Sequence, residues 1–258
     1  VLLAAALADG EVVIENAALE PEVPDLANML NAMGARVEGA GTRTITVRGV
    51  RKLAGVTYRP IPDRIEAGTY MLAAAATRGR VTLTDVEPAH LTAVIDAMRD
   101  AGVQVTTGDG ELTVDATRAE PRPVDVTAAE YPGVPTDLQA PFSAFLATVP
   151  GLSSLHDTVY PDRFTHVEEL SRTGADLRLV DRTLEVRGGA LKGAAMHAAD
   201  IRAGSALVIA ALAANGTSEI GGLRFIDRGY EGLTDRLVAL GADVTRQGAA
   251  EPAAAYGD

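Results

Sequence analysis

Three segments of the chain place a carboxylate just before or inside the first turn of an apolar helical run: PDRIEAGT (Asp63, Arg64, Glu66), PTDLQAPF (Thr136, Asp137, Gln139) and ADIRAGSA (Asp200, Arg202, Ser205). Asp and Thr are preferred helix caps, each contributing about 1 kcal/mol by accepting from an orphan N–H, and capping alone accounts for the acids. It does not account for Arg64 and Arg202, because a cation at the positive end of a helix dipole is mildly unfavourable. An arginine held there anticipates an anion. If equivalent helix starts meet on one face, backbone N–H groups and guanidinium forks could together receive a phosphate.

The elements that would position these residues come from a repeat. LNAMGARVEG, MRDAGVQVTT, LSRTGADLRL and LVALGADVTR each end a helical pattern in Gly and continue as a short β-type run, with Gly34, Gly102, Gly174 and Gly241 spaced 68, 72 and 67 residues apart. Between them runs a second series in which a very apolar helix breaks at Gly or Pro-Gly before a strand, as in AGTYMLAAAATRGRVTLTDV and AGSALVIAALAANGTSEIGGL. Each unit therefore reads strand, apolar helix, strand, amphipathic helix, Gly, strand, turn, strand, with all six elements expected between about Val56 and Val114. TITVRG, ELTVDA and TLEVRG alternate with period 2, as half-buried strands do. The first helices are apolar nearly all round and should be buried on every side, whereas the second keep a polar face. The expected fold class is α/β: an inside-out α/β barrel of repeated βαβαββ units, with apolar helices inside and sheets outside.

Composition narrows the function classes. The chain has 258 residues, no Cys and 35 acidic against 23 basic residues, a net charge of −12. Such a chain repels nucleic acid and anionic membrane as a whole, so an anionic substrate must be held by a local arginine cluster. No apolar run reaches the roughly 18 residues of a membrane span, and the absence of Cys fits a cytoplasmic location. His90, His156, His166 and His197 show no metal-ligand spacing, so no metal site is expected. Gly221, Gly222 and Gly229 lack the order and the Lys of a phosphate loop. Glu20 and Glu22 read as a solvated turn before a helix starting near Asp25. From the residues alone, Arg163 reads as a surface residue at a strand end and Arg228 as a solvated charge before a helix.

The strings ENAALEPEVPDLANMLNAMGA, PDRIEAGTYMLAAA, YPGVPTDLQAPF, YPDRFTHVEEL, DIRAGSALVIAAL and FIDRGYEGLTDRLVALGA, in this order, resemble the enolpyruvyl transferase family, and within it the branch acting on an amino sugar nucleotide. The resemblance runs from Val1 to about Arg246. It implies two domains of three units each with the active site in the cleft between them. Residues 1–60 would be the last unit of one, incomplete domain, 61–246 the main part of the other, and 247–258 a frayed tail. It implies transfer of enolpyruvyl from phosphoenolpyruvate to the 3-hydroxyl of UDP-N-acetylglucosamine with release of phosphate, the first committed step of peptidoglycan precursor synthesis, without a cofactor, by an enzyme that is a monomer when complete. By motif, Asp137 resembles the carboxylate that binds the 3-hydroxyl and is the favoured general base, and Val159 resembles a residue offering main-chain contact to the amino sugar. Arg228 resembles the arginine on the phosphate and carboxylate of phosphoenolpyruvate. Arg64, Arg163, Asp200 and Arg202 resemble residues that line the sugar nucleotide or organise the anion site.

The family's Lys-Asn motif, the arginines of its first domain and its loop with a Cys or Asp general acid have no counterpart. The expectation is that the chain corresponds to the carboxy-terminal three-fifths of the enzyme and is inactive and marginally folded alone. Two alternatives stand beside this reading. One is the sister transferase acting on shikimate 3-phosphate, which PTDLQ, DRF and DIRAGSAL disfavour. The other is a non-catalytic repeat scaffold similar in outline to a DNA clamp, which would want a basic inner face.

Overall fold

Apolar runs punctuated by Gly and Pro resolve, in a computed structural model describing residues 1–248, into helices and short strands that group as two units. The first comprises Val1–Asp63 with Glu130–Gly133, and the second Arg64–Ala129 with the described residues from 134 to 248.

In the first unit α1 (Leu2–Ala5), β1 (Glu11–Glu15), α2 (Glu22–Ala32), β2 (Arg36–Glu38) and β3 (Thr44–Arg48) follow in order. The strands form an antiparallel sheet in the order β1-β3-β2. Leu2, Ala5, Ala6, Leu30, Ile45 and Val47 make its core. Asn31 joins α2 to β2 by bonding both backbone groups of Val37, at 2.9 and 2.8 Å. Helix α2 starts at Glu22 rather than near Asp25, with both acids in its first turn, where the dipole favours them. The first apolar helix is not buried on every side: it is four residues long, and Leu3 is exposed.

The second unit repeats this sheet. It contains α3 (Arg64–Ala76), β4 (Arg80–Thr84), α4 (Thr92–Asp100), β5 (Gln104–Gly108), β6 (Glu111–Asp115), β7 (Asp125–Ala128), α5 (Gln139–Leu146), β8 (Gly151–Asp157), α6 (His166–Ser171), β9 (Asp176–Val180) and β10 (Thr183–Gly188). It continues with β11 (Ala195–His197), α7 (Ile201–Ala213), β12 (Glu219–Gly221), α8 (Leu223–Asp227) and α9 (Leu233–Ala239). The order β4-β6-β5 reproduces β1-β3-β2, and β8-β10-β9 does so again with β7 added parallel to β8. Strands β11 and β12 pair parallel across α7, as β7 and β8 do across α5.

The apolar first helices of these repeats pack on one another: α3 meets α5 and α7, and α5 meets α7. Every residue of α5 and all of α3 except Glu66 are buried. Helix α7 departs from the expectation, with Val208 and Leu212 only partly covered. Sheets flank this centre, β4 and β6 against α3, β8 and β10 against α5. Among the described residues no sheet closes on itself, so the architecture is an α/β arrangement of open sheets around buried helices.

The repeat glycines Gly34, Gly102, Gly174 and Gly241 all have φ between +84° and +99°, the left-handed position after a helix where a Cβ is penalised. The leading strand expected near Val56 is missing, because residues 52–63 form neither strand nor helix. Pro60 and Pro62 have no N–H to give a ladder; the full six elements appear one unit later, from β7 to β10. No strand follows α9 among the described residues, and the tail expected from 247 falls outside them from residue 249 on.

One polar pair lies within the apolar centre. Ser143 of α5 and His166 of α6, each no more than 1% exposed, meet at 2.7 Å between Oγ and Nε2. Burial lowers the imidazole pKa to about 4, partly opposed by the nearby Asp200 carboxylate. The unfolded chain takes up this proton near pH 6.5 and the folded chain only near 4, so stability is complete above the first value and lost as pH falls through the second. At 1.36 kcal/mol per unit the loss reaches about 3 kcal/mol. Denaturant midpoints measured from pH 7 to pH 4 should fall accordingly, and His166→Gln, which does not titrate, should flatten this part of the profile.

Candidate active site

Asp137 stands in a 3₁₀ turn, Thr136–Leu138, that leads into α5 after the extended Pro135. The turn is seated by Leu138, which is fully buried. Its side chain lies over Gly68 of α3 so closely that a Cβ at 68 would come within 2.4 Å of Leu138 Cδ1 and 3.1 Å of Cδ2. The absence of a side chain at 68 thus sets how near the carboxylate's turn can lie to α3.

Asp137 is no cap. Its Oδ1 accepts from Arg163 Nη1, and its Oδ2 accepts from Arg202 Nη2 at 2.8 Å. The three side chains are 31%, 26% and 17% exposed. Burial pushes the Asp137 carboxyl up, but the Arg202 and Arg163 guanidinium groups and their hydrogen bonds outweigh it and hold the pKa below the ordinary carboxylate value. For Arg202 the order is the same: burial acts to lower its pKa, and the charge of Asp137 with the Tyr230 hydroxyl raises it overall.

Each arginine is fixed from its own element. Arg163 lies in the loop after β8, its guanidinium carbon 5.6 Å from the centre of the Tyr160 ring, close enough for cation–π attraction. Arg202 is in the first turn of α7 and its Nη1 reaches Tyr230 Oη at 3.5 Å. Tyr230, 2% exposed, lies 2.9 Å from Thr69 Oγ1, which itself donates to the Ile65 carbonyl. The tyrosine hydroxyl therefore donates to Thr69 and accepts from Arg202. A continuous polar chain runs from α3 through Tyr230 and Arg202 to Asp137 and Arg163.

Asp200 is the cap of α7. Its Oδ1 accepts from the backbone N–H groups of Arg202 and Ala203, both at 2.8 Å, and its Oδ2 from Thr165 Oγ1 at 2.7 Å. Burial raises its pKa, and these donors with the Arg163 charge bring it below the usual value. Its contribution to the site is to fix the start of the helix that carries Arg202. Val159 has its N–H engaged by Asp157 Oδ1 at 2.9 Å, so a main-chain contact to a ligand would use its carbonyl. Arg64 opens α3 as a buried residue, and Arg228 follows α8 as an exposed one, two residues before Tyr230. Gln139 is 1% exposed, and neither polar atom of its amide has a hydrogen-bond partner. Asp157, Thr69 and Tyr230 were not legible as site residues. For Asp157 a signal existed: period-2 parity in LSSLHD puts it on the inward face with Leu155. Among the described residues no group of His, Cys, Asp and Glu suited to a metal ion occurs, and no helix is long and apolar enough to cross a membrane.

The clamp thus holds one carboxylate, Asp137, between Arg163 of the loop after β8 and Arg202 in the first turn of α7. The profile of EPSP synthase (3-phosphoshikimate 1-carboxyvinyltransferase) matches residues 1–237. The chain belongs to this enolpyruvyl transferase family. It is 51% identical over 243 residues to the UDP-N-acetylglucosamine 1-carboxyvinyltransferase of Deinococcus radiodurans and 55% identical to that of Thermus thermophilus, in each case over 94% of this chain and 57% of the relative. Among solved structures, the enolpyruvyl transferase NikO from Streptomyces tendae superposes with a TM-score of 0.82 at 31% identity, over 94% of this chain and 58% of NikO. The chain thus spans under three-fifths of the length of these relatives.

The seating of the Asp137 turn on α3 gives a direct test. Gly68→Ala is expected to lower stability by about 1–3 kcal/mol through overpacking against Leu138. Leu138→Val in the same background removes the crowding methyls and should recover part of the loss. Thermal unfolding of the two variants measures this; an unshifted Gly68→Ala would mean that the turn does not rest on the helix.

Proposed function

We propose that this chain supplies part of the catalytic machinery of an enzyme that transfers enolpyruvyl from phosphoenolpyruvate to the 3-hydroxyl of UDP-N-acetylglucosamine and releases phosphate. The observation that carries the reading is the Asp137 carboxylate shared between Arg163 and Arg202. The names of relatives at 51% and 55% identity favour the amino sugar nucleotide over shikimate 3-phosphate as acceptor. With it go a cytoplasmic enzyme of peptidoglycan precursor synthesis that needs no cofactor and is a monomer when complete, and an inside-out α/β barrel completed by further units.

The reaction asks for two things. The acceptor hydroxyl must lose a proton, which a carboxylate within hydrogen-bond reach can take. Departing phosphate must meet positioned cations. Asp137 is held ionised by its two arginines, ready to accept. The same arginines make it a weak base until one of its oxygens is released to the hydroxyl. An anionic substrate that draws Arg163 or Arg202 toward itself would effect that release and raise the basicity of Asp137 when the proton must move. Arg228, exposed at the end of α8 and two residues before Tyr230, is assigned to the phosphate and carboxylate of phosphoenolpyruvate. Arg64 and Val159 are assigned to the sugar nucleotide.

In a full-length protein, phosphate release should require UDP-N-acetylglucosamine and not occur with shikimate 3-phosphate. Asp137→Asn should lower kcat by about 10²–10⁴-fold while altering sugar nucleotide affinity far less, since the amide keeps the shape and still bonds a hydroxyl. Near-normal turnover would remove Asp137 from the role of base. Arg228→Lys retains charge but loses the planar fork, so KM for phosphoenolpyruvate should rise selectively. A defect confined to the sugar nucleotide would place the phosphate site elsewhere.

A further inference from the structure

We propose that Asp157 is a positioning residue of this site: it holds the turn carrying Asp137 and the loop carrying Arg163 in one register, so that carboxylate and guanidinium meet. The inference rests on the transfer reading above for its kinetic readout. Asp157 ends β8 and is completely buried. Its Oδ2 accepts from Thr136 Oγ1 at 2.6 Å, the residue immediately before Asp137. Its Oδ1 accepts from the backbone N–H groups of Val159 at 2.9 Å and Tyr160 at 2.8 Å.

One carboxyl group therefore fastens two segments that the chain itself joins only through α5 and β8. On the far side of the loop, the Tyr160 carbonyl accepts from the Arg163 N–H at 3.1 Å and the Tyr160 ring lies under the guanidinium. The path from Asp157 to the site runs through Tyr160 to Arg163 on one side and through Thr136 to Asp137 on the other. Asp157 itself does not touch Asp137. All three donors to Asp157 are neutral, so it does not serve as the counter-ion of an arginine; its contacts are all of the kind that orient backbone and a hydroxyl. A misplacement of about 1 Å at a reacting group can cost on the order of 100-fold in rate, and the loss of Asp157 would free both segments at once.

The charged groups that face Asp137 are Arg163 and Arg202, so loosening Arg163 leaves one cation where two stood. The carboxyl pKa should then rise, which a loss of stability by itself does not produce. In a full-length protein, Asp157→Ala is expected to lower kcat/KM by about 10- to 100-fold and to move the acid limb of its pH profile upward. Asp157→Asn should stay within about threefold of wild type with the limb in place, because the amide oxygen can serve both N–H groups and its NH₂ can donate to Thr136 Oγ1. Thr136→Val cuts one leg only and carries the test if Asp157→Ala does not fold; its limb should move in the same direction by less.

A carboxyl-carbon NMR titration, with Asp137 assigned by its loss in Asp137→Asn, reads the same shift without turnover. If wild type releases no phosphate with either acceptor, the transfer reading fails while an upward Asp137 shift in Asp157→Ala still upholds the positioning role. If wild type turns over and the Asp137 titration is unmoved in both Asp157→Ala and Thr136→Val, the positioning role is overturned and the transfer reading stands.

Discussion

A partly desolvated carboxylate between two guanidinium groups is the interaction on which the site depends. Asp137, Arg163 and Arg202 lie on three segments separated by 26 and 39 residues, and the two ion pairs bring those segments to one point. Removing an ion from water is costly and is offset only if its partners are well placed. Each of the three is accordingly braced from behind, Asp137 by Leu138 seated over Gly68, Arg202 by the Asp200 cap and the Tyr230 hydroxyl, Arg163 by Tyr160. Taking away one arginine would leave a buried charge half-compensated, which is why the cluster should be sensitive to changes in residues that touch none of its charges.

Burial of the helices explains why the charges gather where they do. A helix buried on most sides has little lateral room for a charged residue, so the charges of α3 and α7 lie in their first turns. Helices α3, α5 and α7 pack against one another, and Arg64, Asp137 and Arg202 all lie at or just before their starts. The repeat supplies equivalent ends, and sequence divergence at those ends supplies different chemistry: a capping Asp before α7, a free-standing Asp in the turn before α5. The same residue type plays two roles because Asp200 sits where three orphan or loop donors reach it, whereas the donors nearest Asp137 are guanidinium groups.

Much of this was legible in the sequence. The four glycines at near-equal spacing gave the period, and their positive φ values follow from the helix-to-strand turn each one closes. The apolar helices α3 and α5, the sheet-closing strands and the Asp137 and Arg202 neighbourhood could be read from local pattern. What could not be read was pairing at a distance. Nothing local distinguishes Asp137, which engages two arginines, from Asp200, which caps, since both precede apolar helices. The roles of Tyr230 and Asp157 arise from contacts between segments that meet only after folding. The missing strand before α3 was a plain misreading of YRPIP, where two prolines already removed the donors a ladder needs.

The local charge also resolves an apparent conflict with composition. A chain of net charge −12 should repel the phosphates of its proposed substrates. Yet the three side chains of the clamp, Asp137 with Arg163 and Arg202, sum to one positive charge, while the Asp200 carboxylate, which also feels the charge of Arg163, is held on the N–H groups that start α7. Within a site only about one-quarter exposed, screening is weaker than at the open surface, so this small surplus counts for more than the distant acids. The surplus is also latent: both arginines are turned toward Asp137, and a competing anion would redirect them. On the proposed reading, binding the anion and unmasking the base become one event, because the cations that would receive the first are the cations that restrain the second.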